Sequence, residues 1–460
     1  MTHDPSTTDP PTRPKGTDAK APRAWSVPRT DRERALTTRG TFLLHLRPIR
    51  LAASTVRWTH TFGLGGSSLI LWIVLVFTGI LMLLVYQPVP DVAWDSVQTL
   101  DDAVRFGPLV RGAHYWSANL LIAVVLLHIA RVVLTGGYHR PRRLNWAVGS
   151  GLLLLVLSSA FTGYLLPWDQ RAYWAVTIST GMLSYVPVIG DALQRVVRGG
   201  VEIGSETLLA FYTYHTTVLP VLLVAGMGFH FWRVRRAGGV VEPPADGDSK
   251  DVRPERILFF PDLLVREIAQ ALVVLALVVF LGAFVGASIG ERANLGMSPN
   301  PAKAPWYFMG FQELLIHLHP TFAVLLFPVA ALVGFVALPL LGRNDGPAGR
   351  WFLTANGRRT AAGAAVLAVM LTTLAVLADN AFGASGVSPG GWIARGLVPV
   401  AVLCGVIALV WTGLRRRFGA DRNEVLQAIV VFLFMSFATL TVVGVFFRGA
   451  GMALRMPWGG

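Results

Sequence analysis

Apolar residues fall into nine long stretches along this chain, separated by polar segments. A helix needs about 20 such residues to cross a bilayer, and only helices and closed barrels satisfy their backbone groups in lipid. The stretches lie at about 67–86, 114–135, 146–166, 215–232, 268–290, 321–341, 361–378, 396–413 and 426–447. They predict an all-α polytopic membrane protein with four helices in a first bundle and four to five further transmembrane helices.

The polar segments predict where the chain divides. Residues 1–44 are rich in Pro, Thr, Arg and Lys and lack an apolar core, so they predict a disordered cytoplasmic tail. Three prolines and three glycines in AGGVVEPPADGDSKDVRPER predict a linker over 241–256. We therefore expect a four-helix bundle over 45–240, a second half over 257–345 and additional helices over 346–460.

Charge is distributed unevenly between the predicted loops. The formal net charge is +14, but four alternate loops hold 19 lysines and arginines and the other four hold 8. This is the positive-inside bias of membrane proteins, so the basic excess gives no reason to expect a nucleic-acid partner. It predicts a multi-pass protein of a bacterial-type cell membrane, with the segment before the first helix in the cytoplasm. The single cysteine, Cys404, excludes a disulfide framework and a cysteine-held metal centre.

Two predicted helices each carry a pair of histidines. His114 and His128 are 14 residues apart, and His215 and His230 are 15 apart. Four helical turns take about 14.4 residues, so each pair lies on nearly one face, with its members about 21–22 Å apart along the axis. Both helices run from outside to inside. His114 and His215 are therefore expected at one depth near the outer surface, and His128 and His230 at a second depth nearer the inner surface. Bis-histidine haem fits this pattern, because neutral imidazole is a strong axial ligand of haem iron.

Small residues repeat with the same spacing on the neighbouring helices. Gly65 and Gly79 lie 14 apart on the first helix, as do Gly149 and Gly163 on the third. A glycine leaves the helix surface open to a flat porphyrin edge, although glycines also serve ordinary helix packing. Arg111, three residues before the first histidine, is a candidate partner of a haem propionate or an ordinary interfacial arginine. The histidines alone also allow headgroup contacts or a transporter's proton relay.

Five segments resemble the cytochrome b family of quinol:cytochrome c or plastocyanin oxidoreductases, in its split photosynthetic form fused to the second half. They are TGYLLPWDQRAYWAVTISTG (162–181), VPVIG (186–190), FYTYHTTVLPVLLVAGMGFHF (211–231), FFPDLL (259–264) and APWYF (304–308), which is similar to the family's PEWY motif. The resemblance covers roughly 45–345 and does not extend to the last 115 or so residues.

The resemblance implies two b-type haems, one held by His114 and His215 and the other by His128 and His230. It implies an outer pocket that oxidises quinol, built from the 167–180 loop and the motif containing Tyr307. An inner pocket would reduce quinone, with Asp262 at the position of an aspartate linked to proton uptake. It also implies a Rieske-type iron–sulfur protein and a c-type cytochrome as partners, in a larger complex that contains a homodimer of this chain.

Two residues depart from the family pattern. Gly63 stands where the split form has a cysteine that attaches an extra haem, so no covalent haem is expected. Pro305 stands where PEWY has a glutamate that is a candidate proton acceptor. Glu313 is the nearest carboxylate downstream, about 9 Å beyond Tyr307 in a helix. We expect burial to raise its pKa and prepare it as a base, with His317 and His319 relaying the proton outward; local pairing is the alternative.

The sequence therefore predicts a dihaem membrane subunit of a respiratory quinol oxidoreductase that couples electron transfer to proton translocation. A dihaem anchor that passes electrons between quinone and another dehydrogenase is the alternative within redox chemistry, and a transporter is the alternative outside it.

Overall fold

The computed structural model describes residues 28–40, 49–244, 255–342, 348–384 and 391–456. Its α-helices are α1 (Asp31–Gly40), α2 (Trp58–Thr61), α3 (Leu64–Met82), α4 (Pro90–Asp102), α5 (Gly107–Leu134), α6 (Arg143–Leu165), α7 (Gln170–Gly181), α8 (Gly190–Arg198), α9 (Ser205–Thr213), α10 (Leu219–Arg236), α11 (Leu264–Phe280), α12 (Trp306–His317), α13 (Phe327–Leu341), α14 (Ala355–Ala384), α15 (Val398–Phe418) and α16 (Arg422–Phe446). Two short antiparallel strands, β1 (Arg50–Ala52) and β2 (Arg256–Leu258), pair with each other.

The described residues contain nine helical spans long and apolar enough to cross a membrane, which confirms the all-α polytopic prediction. The first four are Leu64–Met82, Gly107–Leu134, Arg143–Leu165 and Ser205–Arg236, and the other five are Phe259–Val285, Phe322–Leu341, Ala355–Phe382, Ile393–Phe418 and Arg422–Phe446. The alanine-rich span predicted at 361–378 is longer than its apolar run, since alanine has the highest helix propensity and extends the helix.

One apolar core joins the first four spans to the fifth. Leu71, Ile122, Val156, Leu223 and Val278 are buried together, one from each of these spans. A second core joins α14, α15 and α16, where small alanines allow close helix approach. The last three helices thus pack against one another and also reach α12 through α16.

Short helices cover one end of the bundle, which we call the outer end and define by α4, α7 and α8. The amphipathic helix α8 lies within the 182–210 segment. Val188, Ile189 and Val196 at and before this helix expose most of their side chains, as expected of a helix that lies against a lipid surface.

The polar segments differ in part from their prediction. Asp31–Gly40 is helical, so the expectation of disorder over 1–44 is wrong for these residues. Its first turn carries Asp31 and Glu33, which favour a helix N-terminus. Residues 1–27, and 245–254 of the predicted linker, lie outside the described residues.

Candidate functional site

Two of the four predicted histidines face each other near the outer end. The ring centroids of His114 on α5 and His215 are 6.2 Å apart, with an angle of 65° between the rings. An imidazole nitrogen binds a metal at about 2 Å, which puts the centroids of two axial rings on one metal about 6 Å apart. The two rings therefore lie at the separation that one shared metal needs.

Hydrogen bonds orient both of these rings through the same nitrogen. The Nδ1 atom of His114 lies 2.9 Å from the Thr78 hydroxyl, which itself donates to the Val74 carbonyl. The Nδ1 atom of His215 lies 2.9 Å from the Ser159 carbonyl oxygen. A histidine that donates from Nδ1 presents a free Nε2 lone pair to a metal, so both rings have the tautomer that axial ligation requires.

Each predicted glycine lies against one of the four histidine rings. A Cβ atom placed on Gly65, Gly79 or Gly149 would come 3.5, 3.4 and 3.4 Å from the Cε1 atom of its histidine. The partners are His128, His114 and His230 respectively. A Cβ atom on Gly163 would come 2.4 Å from Cε1 of His215 and would displace the ring. The glycines are thus divided between the same two levels as the histidines.

A π-helical turn explains why the second histidine pair is one residue longer than the first. Tyr214–Val218 forms this turn between α9 and α10, and it contains His215. A π turn takes up an extra residue within an α-helix and is frequent at functional sites. The 15-residue spacing to His230 therefore spans nearly the same rise as the 14-residue spacing on α5. His230 consequently lies close enough to His128 for electrostatic interaction.

The residues present fit haem better than a metal held by protein alone. No group of three or more His, Cys, Asp or Glu that could hold a metal ion occurs in the described parts of the chain. Each level offers two imidazoles, and a porphyrin supplies the remaining four ligands.

Two other predicted residues have specific neighbours. The Nε atom of Arg111 donates to Asp101 at 2.7 Å, and its terminal nitrogen bonds both Asp101 and the Ala287 carbonyl. A haem propionate that contacted Arg111 would therefore bind a guanidinium that is already paired with Asp101. Gly63 has a φ of +60°, which disfavours any other residue, and a Cβ atom there would require the Gln270 side chain to move.

A cavity of about 460 Å³ lies near the outer end, between the end of α6, the start of α7 and the segment before α12. Its lining includes residues of both regions from which the sequence predicted an outer pocket. The lining residues are Tyr164, Arg171, Ala175, Pro299, Pro301, Ala302, Lys303, Ala304 and Pro305.

The segment before α12 is fixed by hydrogen bonds to later parts of the chain. Gln312 donates to the Ala302 carbonyl at 2.6 Å and accepts from Ala304 N at 2.7 Å. The Lys303 ammonium donates to the Val445 carbonyl at 2.9 Å. Because Val445 belongs to α16, the C-terminal helices hold one wall of the cavity.

The aromatic residues of the APWYF motif connect this wall to the bundle. The Trp306 indole donates to the Asn119 side chain on α5 at 2.8 Å. Tyr307 packs against the core shared by the first five spans, and burial raises the pKa of its hydroxyl, with Tyr164 adding to the effect. Asp262, the candidate of the inner pocket, is exposed in the π turn before α11.

Glu313 is fully buried and ion-paired instead of facing the cavity. Arg448 places Nε 3.0 and 3.1 Å from its two carboxylate oxygens, and a second guanidinium nitrogen bonds it as well. The Nε2 atom of His317 lies 3.1 Å from a Glu313 oxygen, and its Nδ1 atom lies 2.7 Å from an Asp379 oxygen. Glu313 is absent from the described residues that line the cavity.

The expectation of a raised pKa at Glu313 is wrong. Burial raises the pKa of this carboxyl. The hydrogen bonds from His317 and Arg448 and the charge of Arg448 together lower the pKa by more than burial raises it, so the net shift is downward. Burial lowers the pKa of His317, whereas its two carboxylate partners raise it, and the net shift is upward. Glu313 is therefore held as a carboxylate, and its direct role as a base stays a prediction.

Sequence reasoning missed Lys303, which lines the cavity. It also missed Arg448 and Asp379, which pair with Glu313 and His317. Asp379 lies within the helical span Ala355–Phe382, but the apolar stretch in the sequence ends at 378, so the sequence placed Asp379 in the following loop. The pairing of Arg448 with Glu313 spans 135 residues of sequence and has no local signal.

Comparison with known proteins supports the motif resemblance. A family model described as cytochrome b/b6/petB matches residues 50–238. Over 175 residues the chain is 45% identical to cytochrome b6 of Synechococcus sp. (strain JA-3-3Ab), covering 38% of this chain and 81% of that protein. Cytochrome b6 of Synechococcus sp. (strain WH7803) is 43% identical over 175 residues, covering 38% and 80%.

The fold continues beyond the part that matches these relatives. A solved chain described as hyperthermophilic respiratory Complex III superimposes with a TM-score of 0.62 at 21% identity, covering 89% of this chain and 95% of that chain. The helices after residue 238 therefore follow an arrangement found in a known structure.

Proposed function

Because this chain belongs to the cytochrome b family, we propose that it is the membrane subunit of a quinol:cytochrome c oxidoreductase. Family membership implies b-type haem. In the proposed reaction, quinol is oxidised at the outer cavity, and electrons pass along two haem levels to an inner quinone site. Release of protons outside and uptake inside couple the reaction to proton translocation.

The observation that carries the proposal is the geometry of the two histidine levels. Axial ligands come from His114 and His215 at the outer level and from His128 and His230 at the inner level. The 6.2 Å centroid distance and the orientation of both outer Nδ1 atoms support bis-histidine ligation. When bound, the two haems would supply one-electron carriers across the membrane.

The two quinone sites are assigned from position. The cavity between Tyr164, Arg171 and Pro305 suits the outer site, since it combines the 167–180 region with the motif that contains Tyr307. Asp262 is proposed to assist proton uptake at the inner site, since it is exposed near the inner end of the fifth span. Arg111 is proposed to contact an outer haem propionate while it stays paired to Asp101.

The proposed partners follow from the cofactors that the chain cannot hold. With one cysteine it binds neither an iron–sulfur centre nor a covalent c-type haem. A Rieske-type iron–sulfur protein and a c-type cytochrome would receive the electrons, within a complex that contains two copies of this chain. The bias of basic residues supports a bacterial-type cell membrane with the segment before the first span in the cytoplasm.

Redox spectroscopy on the purified complex tests this function. We expect quinol to reduce two b-type haems with different midpoint potentials. His215→Leu should remove the outer haem alone, and His230→Leu the inner haem alone. A preparation without b-type absorption, or haems that quinol does not reduce, would refute the proposal; the first result favours a transporter.

A further inference from the structure

The cavity proposed as the outer quinol site has a cationic lining. Arg171 and Lys303 line it, and its described lining residues include no carboxylate. Pro305 occupies the position of the family glutamate and has neither a titratable side chain nor an N–H group. Glu313, the nearest carboxylate in sequence, is paired to Arg448 behind the cavity wall. The usual means of accepting a quinol proton is therefore missing, while positive charge is present.

One carboxylate, Asp169, acts electrostatically on the lining residue Tyr164. Its two oxygens accept hydrogen bonds from Ala172 N and Gly290 N at 2.8 and 2.9 Å, which fix it against the backbone. Two cations in the lining therefore stand against this one carboxylate beside it. Tyr164 also interacts with Tyr115.

The two cations are held differently. Arg171 is exposed and lies in the first turn of α7, at the outer end of the bundle. Lys303 is half-buried, with its ammonium anchored on the Val445 carbonyl. Burial lowers the pKa of Lys303, and the negative charge of Glu313 opposes that shift. Glu313 thereby supports the positive charge of Lys303 from behind the wall.

We propose that this cavity binds hydroquinone and stabilises its monoanion through Arg171 and Lys303, so that the first proton leaves to water without a protein base. The O–H bond of the hydroquinone breaks heterolytically, the electron pair stays on the oxygen, and the proton passes to solvent at the Arg171 side. The inference rests on the proposed quinol oxidation and adds the ionisation state of the bound substrate.

A cation within about 4–6 Å shifts the ionisation of an acidic group by about 1–3 pH units. Oxidation limited by the monoanion rises with pH until the bound hydroquinone is ionised. Removing one cation weakens the stabilisation, so the acidic limb of the rate profile should move to higher pH by about one unit, with the rate on that limb falling about tenfold.

The experiment uses the whole complex and measures initial rates of quinol-driven b-haem reduction between acid and alkaline pH. Arg171→Gln and Lys303→Gln should each shift the acidic limb upward, whereas Arg171→Lys and Lys303→Arg should keep it. Arg195→Gln, which removes an exposed arginine from α8, is the matched control and should leave the profile unchanged. Haem content is checked in each variant, so that a folding defect is recognised.

The outcomes separate the inference from the function on which it rests. Quinol that fails to reduce the haems of the unaltered complex refutes the proposed function. Normal reduction with unshifted profiles in both glutamine variants overturns the inference alone. A profile that shifts in Glu313→Gln and in neither cation variant would also overturn it, and would assign the proton to Glu313 as a general base.

Discussion

His317 lies between the carboxylates of Glu313 and Asp379, so its protonation sets the net charge of this group of side chains. His317 pairs with Glu313, which is fully buried, and with Asp379, which is partly exposed. Both partners favour the imidazolium, and Arg448, whose guanidinium lies 3.3 Å away, opposes it. The net effect is a raised pKa for His317. Removing one member of such a buried group leaves an uncompensated charge, which is strongly destabilising.

We predict that this group makes thermal stability depend on pH. A raised folded pKa contributes stability that is fully present below about pH 6.5, the unfolded value, and is lost as pH rises through the folded pKa. Glu313 has the opposite sign: its contribution is present above its unfolded pKa and is lost on acidification. The melting temperature of the complex should therefore fall as pH rises above about 6.5.

The matched variants are His317→Gln and His319→Gln. The first should flatten the alkaline decline of the melting temperature, and the second should retain it, since the Nδ1 atom of His319 accepts a hydrogen bond from Thr321 N instead of facing a carboxylate. An unchanged decline in His317→Gln would show that other groups produce it.

At the scale of elements, the π turn at Tyr214–Val218 sets the register between two histidine levels. Each residue of an α-helix turns by about 100°, so a register error of one residue moves a ligand off its face. The π turn takes up the one residue by which the spacing of His215 and His230 exceeds the spacing of His114 and His128.

Two single-residue deletions test this element. Deleting Thr217 should convert the π turn into an α turn and keep both haems, because His215 and His230 are then 14 residues apart. Deleting Val224, within α10, leaves the turn in place and rotates the ligands relative to each other, so one haem should be lost. Reduced-minus-oxidised spectra report both results. Equal haem loss in the two deletions would contradict the role given to the turn.

The elements that the sequence predicted are those controlled by local patterns. Apolar runs and the spacing of His114 and His128 follow from bilayer thickness and helical period, which are readable along the chain. The π turn was not predicted, because one extra residue leaves no compositional mark. The environment of Glu313 was mispredicted because Arg448 reaches it only through the packing of α16 against α12.

At the scale of the whole molecule, the chain combines a bundle related to cytochrome b6 with helices beyond the region that the family model matches. These later helices hold the wall of the outer cavity through Lys303 and Val445. They also supply Asp379 and Arg448, which pair with His317 and Glu313 of α12.

We predict that the active assembly contains iron–sulfur and c-type haem proteins beside this chain. Gentle purification through a tag on this chain should yield both, with quinol oxidation by a soluble acceptor lost when they are stripped by detergent. The control is the b-haem spectrum, which should survive that treatment. Full activity in a preparation that contains this polypeptide alone would contradict the prediction.

The two histidine levels also have an electrical consequence. They are about 21 Å apart along α5, within a hydrocarbon layer about 30 Å thick. A charge that crosses the whole layer exchanges about 2.3 kcal/mol with a potential of 100 mV, so an electron moved between the levels exchanges roughly two thirds of that, about 1.5 kcal/mol. With haems bound at the two proposed levels, an energised membrane, negative inside, would favour the electron at the outer level, and discharge would favour its transfer inward. The spacing of the two histidine levels would therefore make the proposed electron transfer depend on the membrane potential.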